Sequence, residues 1–184
     1  MQKIYLLLVT AAAFAAGAAE SVHGWGLVDW GMTEAQVQSA YGDNMEKLPV
    51  PRVRRSDIVE LLRLKNPLVI NGIALTQSFA FSHTGKGLER VVLRANLANA
   101  SSEQCQDAYG RIRQSEIKQF AQPVEEKAAL RSLHAIWHGA AADAQLSIMD
   151  VTGHCFVTLV YEAPGESASG KADPALDKPT VPAR

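Results

Sequence analysis

The chain predicts an α+β fold, with helices packed on one face of an antiparallel sheet and a tandem duplication of a helix-plus-hairpin unit. Two observations carry this expectation. Thr33-Glu-Ala-Gln-Val-Gln-Ser-Ala-Tyr-Gly42 returns as Ser101-Ser-Glu-Gln-Cys-Gln-Asp-Ala-Tyr-Gly110, and each copy precedes a stretch with the two-residue period of a strand.

 The unit so repeated is a helix followed by a hairpin, and the expected repeats are residues 30–98 and 99–163 of one α+β domain spanning 20–163. Gln36/Gln104, Gln38/Gln106, Ala40/Ala108, Tyr41/Tyr109 and Gly42/Gly110 are identical at a spacing of 68 positions.

The elements follow in order. Met1 to Ala19 combine one early cation, Lys3, with an apolar run from Ile4 to Ala16 and small residues at Gly17, Ala18 and Ala19. This is the pattern of a secretory signal peptide, 1–19, and its strongly apolar part is shorter than the roughly 20 residues that a bilayer span needs. No later segment is long and apolar enough to span, so the expectation is a free, soluble protein of the periplasm or the secreted fraction with no transmembrane segment after cleavage. Thr33 with Gln36 has the spacing of a capping box, and Met32, Val37, Ala40 and Tyr41 share a helical stripe that Gly42 ends. Pro49 and Pro51 are expected to bracket a loop, and Ile58 to Leu64 fits either strand or helix. Ile73, Leu75, Phe79 and Phe81 then alternate with Ala74, Thr76, Ser78 and Ala80, as a half-buried strand requires. After a turn at His83–Gly87, Val91, Leu93, Ala95 and Leu97 alternate with Arg90, Arg94 and Asn96 on the returning strand.

Ser101 and Gln104 repeat the capping box, and Cys105, Ala108, Tyr109, Ile112 and Phe120 form the stripe of a longer helix with Gly110 inside it. Ala135–His138, Gln145–Asp150 and Cys155–Tyr161 read as strands, while 124–137 also fits a helix. From Pro164 onward there is no aromatic residue and only isolated aliphatic ones, so 164–184 is expected to be a disordered tail.

The chemistry-bearing residues are few. Cys105 and Cys155 are the only cysteines, and export favours a structural disulfide between them, tying the second helix to the last strand. The redox or nucleophilic alternative lacks a Cys-x-x-Cys spacing and an evident base. Trp25 and Trp30 are candidate partner-binding aromatics, with closure of the core as the competing role. Arg52, Arg54 and Arg55 are candidate partner-binding cations suited to phosphate or carboxylate groups, although a solvated loop would carry them equally well. On a helix His134 and His138 could share one metal, but on a strand they would lie about 13 Å apart, beyond joint coordination; neither a metal nor a cofactor is expected.

Eighteen basic residues against nineteen acidic ones argue against nucleic acid as a partner. No Gly-x-Ser-x-Gly elbow, His-Glu-x-x-His pair, phosphate loop or dinucleotide fingerprint occurs. The expected function is therefore non-catalytic binding of another envelope protein or an envelope component. The alternative is an envelope hydrolase with a site among His134, His138, Asp150 and His154.

Trp30-Gly-Met-Thr33 with Glu34, Val37, Tyr41 and Gly42, then Asn71-Gly-Ile-Ala-Leu75, Phe79-Ala-Phe81, Gly87-Leu88 and Val91-Val-Leu93, resemble small exported periplasmic proteins whose first helix opens on Gly-Met-Thr or Gly-Met-Ser. Cys105, Tyr109, Trp137, Ile148, Cys155 and Tyr161 fit their second half. In architecture that group resembles the tandem β-lactamase-inhibitor protein and the small lipoproteins of outer-membrane assembly. The resemblance implies helices on an antiparallel sheet and a binding role. The chain lacks a lipidation cysteine after the expected cleavage point, unlike the assembly lipoproteins, and no inhibitor contact residue carries over.

Overall fold

The computed structural model describes residues 24–55, 57–83 and 87–165; the expected signal peptide and residues 166–184 of the expected tail lie outside them. The fold is α+β and dominated by antiparallel strands. A short hairpin of β1 (Gly24–Trp25) and β2 (Val28–Asp29) leads to α1 (Glu34–Tyr41), then to β3 (Met45–Arg55), β4 (Ile58–Leu64), β5 (Leu68–Ile70), β6 (Ile73–Ser82) and β7 (Leu88–Ala98). The second helix, α2 (Ser102–Phe120), is followed by β8 (Glu125–Ala129), β9 (Ser132–Trp137), β10 (Asp143–Val151) and β11 (His154–Glu162). Strand order in the main sheet is β3-β4-β6-β7-β11-β10-β9-β8, with β5 paired to the start of β6.

Local chemistry explains both helix starts. Thr33 and Ser101 each accept a hydrogen bond from the backbone N–H three residues on, and the Gln36 and Gln104 side chains each accept from the N-cap backbone N–H. Two otherwise unpaired donors are thereby satisfied at each start. Gly42 caps α1 at φ 54°, a left-handed conformation that glycine adopts without a Cβ clash. Gly110 lies inside α2, where an added Cβ would meet nothing within 4 Å. Gly110→Ala should therefore raise unfolding free energy by about 1 kcal/mol through helix propensity alone, as measured by urea denaturation.

The Gly-Met-Thr phrase has a structural use. Gly31 N–H donates to Leu88 O at 2.9 Å and Leu88 N–H donates to Met32 O at 2.7 Å, joining the start of α1 to the start of β7. A Cβ on Gly87, whose φ is 115°, would come within 2.2 Å of Gly31 O, so only glycine fits that approach.

Two expectations change. The segment with Pro49 and Pro51 is strand rather than loop: β3 continues through it as the outermost strand, with its pairing to β4 shifting register between Lys47 and Arg52. Proline lacks the ladder donor, and an edge strand is where that loss is tolerated. The first helix is followed by more than a hairpin, because β3, β4 and β5 precede β6 and β7. Glu125 and Glu126 open strand β8. The two open segments resolve as strands, 58–64 as β4 and 124–137 mainly as β8 and β9.

Cross-strand pairing builds one strongly apolar row: Leu62, Phe79, Val91, Tyr161, Ala144 and Trp137 are successive partners across β4, β6, β7, β11, β10 and β9. Leu93, Leu159, Leu146 and Ala135 form the next. All these side chains are buried, and Val37, Cys105, Ala108, Tyr109 and Ile112 of the helices join them in one core. Tyr41 meets Phe79 with ring centroids 5.3 Å apart, and Phe120 stacks on Tyr161 at 6.2 Å. Cys105 and Cys155 form a disulfide, compatible with an oxidising location outside the cytoplasm. No helix among the described residues is long and apolar enough to cross a membrane.

Candidate functional site

Residues alternate along a strand, so the partners of the apolar rows present a second, polar face. Arg63 pairs with Ser78; Thr76 pairs with Arg94, which pairs in turn with Thr158; Asn96 pairs with Phe156. Arg52, beyond the register shift in β3, pairs with Glu60. Except for Glu60, these residues surround a groove of about 290 Å³, with Leu48, Ala95 and Val157 completing its lining.

The Arg94 guanidinium is fixed from behind. Its Nη1 donates to Glu60 Oε2 at 3.0 Å and to Ser78 Oγ at 3.2 Å, while Nη2 donates to Glu60 Oε1 at 2.5 Å. Glu60 is fully buried and Arg94 retains 24 % side-chain exposure, so the carboxylate is hidden while part of the guanidinium reaches the groove. Arg63 donates from Nε to Glu46 Oε1 at 2.5 Å. Arg52 is exposed. The lining thus contains three guanidiniums and no carboxylate. Phe156 adds an aromatic edge, stacked with His154 at 5.9 Å, and His154 Nδ1 lies 3.3 Å from Asn96 Oδ1.

The other candidate residues are placed elsewhere. Trp25 is half-buried with its ring centroid 5.3 Å from that of Tyr161, on the apolar side of the sheet. Trp30 is also half-buried, and its indole N–H donates to Ala141 O at 2.8 Å. Arg54 and Arg55 fall within β3 alongside Arg52. The histidines are not brought together. His134 is in β9, where Gln145 Nε2 lies 2.7 Å from His134 Nε2; burial lowers its pKa and favours the neutral ring. His138 Nδ1 lies 3.1 Å from Asp143 Oδ1 at the start of β10. His154 pairs with Val151 at the opposite end of β10, about 27 Å away at the rise of an extended strand. Asp150 accepts from Ser102 Oγ at 2.5 Å. Among the described residues no group of three or more His, Cys, Asp or Glu side chains could hold a metal ion.

Two further polar clusters tie α2 to the sheet. Arg113 holds Glu126 of β8 through two hydrogen bonds of 2.8 and 2.9 Å, and the Tyr109 hydroxyl donates to the same carboxylate at 3.0 Å. The Arg113 hydrogen bond lowers the Glu126 pKa, while burial and then Glu126 raise that of Tyr109. Deeper in the core, Tyr161 donates to Glu116 Oε2 at 3.0 Å. Burial pushes the Glu116 pKa up to about 7, although the Tyr161 hydrogen bond opposes it.

No protein-family model, curated protein or solved structure matches this chain.

The sequence singled out Arg52 but missed Arg63, Glu60 and Glu116. Arg94 was legible only as an outward position on a strand. For Glu116 a signal exists: Cys105, Tyr109, Ile112 and Glu116 recur at helical spacing, so the carboxyl sits on the apolar stripe.

Proposed function

We propose that this chain is an exported, periplasmic, non-catalytic binding module that captures another envelope protein or an envelope component on the polar face of its sheet. The observation that carries this reading is the groove itself, in which Arg52, Arg63 and Arg94 converge from three strands with no carboxylate in the lining. The disulfide supports export.

In this reading both helices cover the apolar face and leave the polar one to a partner. The contacts of Tyr41 with Phe79 and of Phe120 with Tyr161 support it, since Phe79 and Tyr161 are both register partners of Val91. A duplicated origin with repeats 30–98 and 99–163 has similar support. Each half opens on a capping box, continues through its strands and ends in one of the two central ones, β7 or β11.

A photoreactive amino acid at Thr76 or Thr158 should give a discrete cross-linked adduct in the producing cell, while one at Gln106 or Gln114 on the exposed side of α2 should not. Adducts from α2 alone, or from none of these positions, would overturn the proposal.

A further inference from the structure

We infer that the occupant of the groove is an acidic segment of a partner protein, with an Asp or Glu carboxylate seated among Arg52, Arg63 and Arg94. The inference rests on the binding-module reading above and adds the chemistry of the ligand. Three features select it.

The first is charge. The lining carries three guanidiniums, while Glu60, which balances Arg94, is fully buried beneath it. Arg52 forms no ion pair among the described residues. Arg63 is paired with Glu46, whose carboxylate lies outside the lining, so with Arg52 added the groove keeps a net positive charge toward an incoming anion. The second is preorganisation. Glu60 and Ser78 hold Arg94 in place, so little side-chain freedom remains to be lost on binding. A guanidinium's planar fork matches the two oxygens of a carboxylate.

The third is shape. A recess of about 290 Å³ bounded by Leu48 and Phe156 admits a protruding side chain and its apolar neighbours. A planar lipid surface would meet only its rim. Charge complementarity and recession together favour a polypeptide loop over a membrane.

The test is fluorescence anisotropy with a fluorescein-labelled hexaglutamate peptide, run on the disulfide-bonded protein. Arg94 is left intact because it balances a buried carboxylate. Wild-type protein should bind with an affinity that falls as salt rises. The R52A/R63A double variant should bind at least tenfold more weakly, and Arg111→Ala, on the exposed side of α2, should bind as wild type does. In wild-type protein, the peptide should also shift the amide resonances of Thr76, Asn96 and Thr158, a readout that depends on no substitution. Equal affinity in R52A/R63A and wild type would overturn the inference. So would binding to vesicles of anionic phospholipid, or to inorganic phosphate, without binding to the peptide. Cross-links from Thr76 and Thr158 that persist undiminished in R52A/R63A would sink the acidic ligand while leaving the binding module standing; their absence from wild type would sink the module itself.

Discussion

Replacing Cys105 and Cys155 together with alanine should lower the unfolding free energy by about 4 kcal/mol, measured by urea denaturation against the oxidised wild type. The cysteines are 50 positions apart, so the bond closes a long loop and removes much of the unfolded chain's freedom. Both are buried, Cys105 on α2 and Cys155 on β11. Alanine is the better probe because serine would add a buried hydroxyl to the loss. Reduction of the wild-type protein should reproduce most of the effect. A loss below about 1 kcal/mol would overturn the chain-entropy account, since the reduced unfolded chain would then gain little freedom when the bond is cut.

The second large effect is pH dependence set by Glu116. Its folded pKa is about 7, against 4.5 when unperturbed. Below the lower value both states carry the proton and this group is neutral to stability. Between the two values the unfolded chain releases its proton while the folded protein keeps it, so stability falls as pH rises. Above the upper value the full penalty is present, about 3 kcal/mol. His134, whose pKa is lowered by burial, acts in the opposite direction as it approaches the ordinary histidine range. The informative quantity is therefore the difference between wild type and Glu116→Gln. The amide cannot ionise and its oxygen can still accept from Tyr161. Relative to this variant, wild type should lose stability at up to about 1.4 kcal/mol per pH unit between pH 5 and 7. A difference independent of pH would exclude Glu116 as the titrating group.

Short-range chemistry was the legible part of this chain. The two capping boxes depend on residues three apart, and both form. The alternation of Ile73 to Phe81 and of Val91 to Leu97 appears as strands β6 and β7. Where several environments fit the same residues, the sequence was ambiguous. Ile58–Leu64 forms an interior strand with Glu60 buried on its polar face, so its apolar pattern lacks clean alternation. Glu125–Ala129 is an edge strand with largely exposed residues and little apolar periodicity. Pro49 and Pro51 suggested a loop because their tolerance in a strand depends on its position at the sheet edge. The groove was legible only through Arg52. Bringing Arg63 and Arg94 beside it requires the strand order and register, which no local pattern specifies.

The place of β11 also makes the two halves depend on one another. It comes last among the described strands, yet pairs with β7 on one side and β10 on the other. Without His154–Glu162 both neighbours would lack a partner along an edge, and an open edge is a template for pairing with another chain. One strand thus closes two edges at once, and its loss would turn a single sheet into two sticky ones.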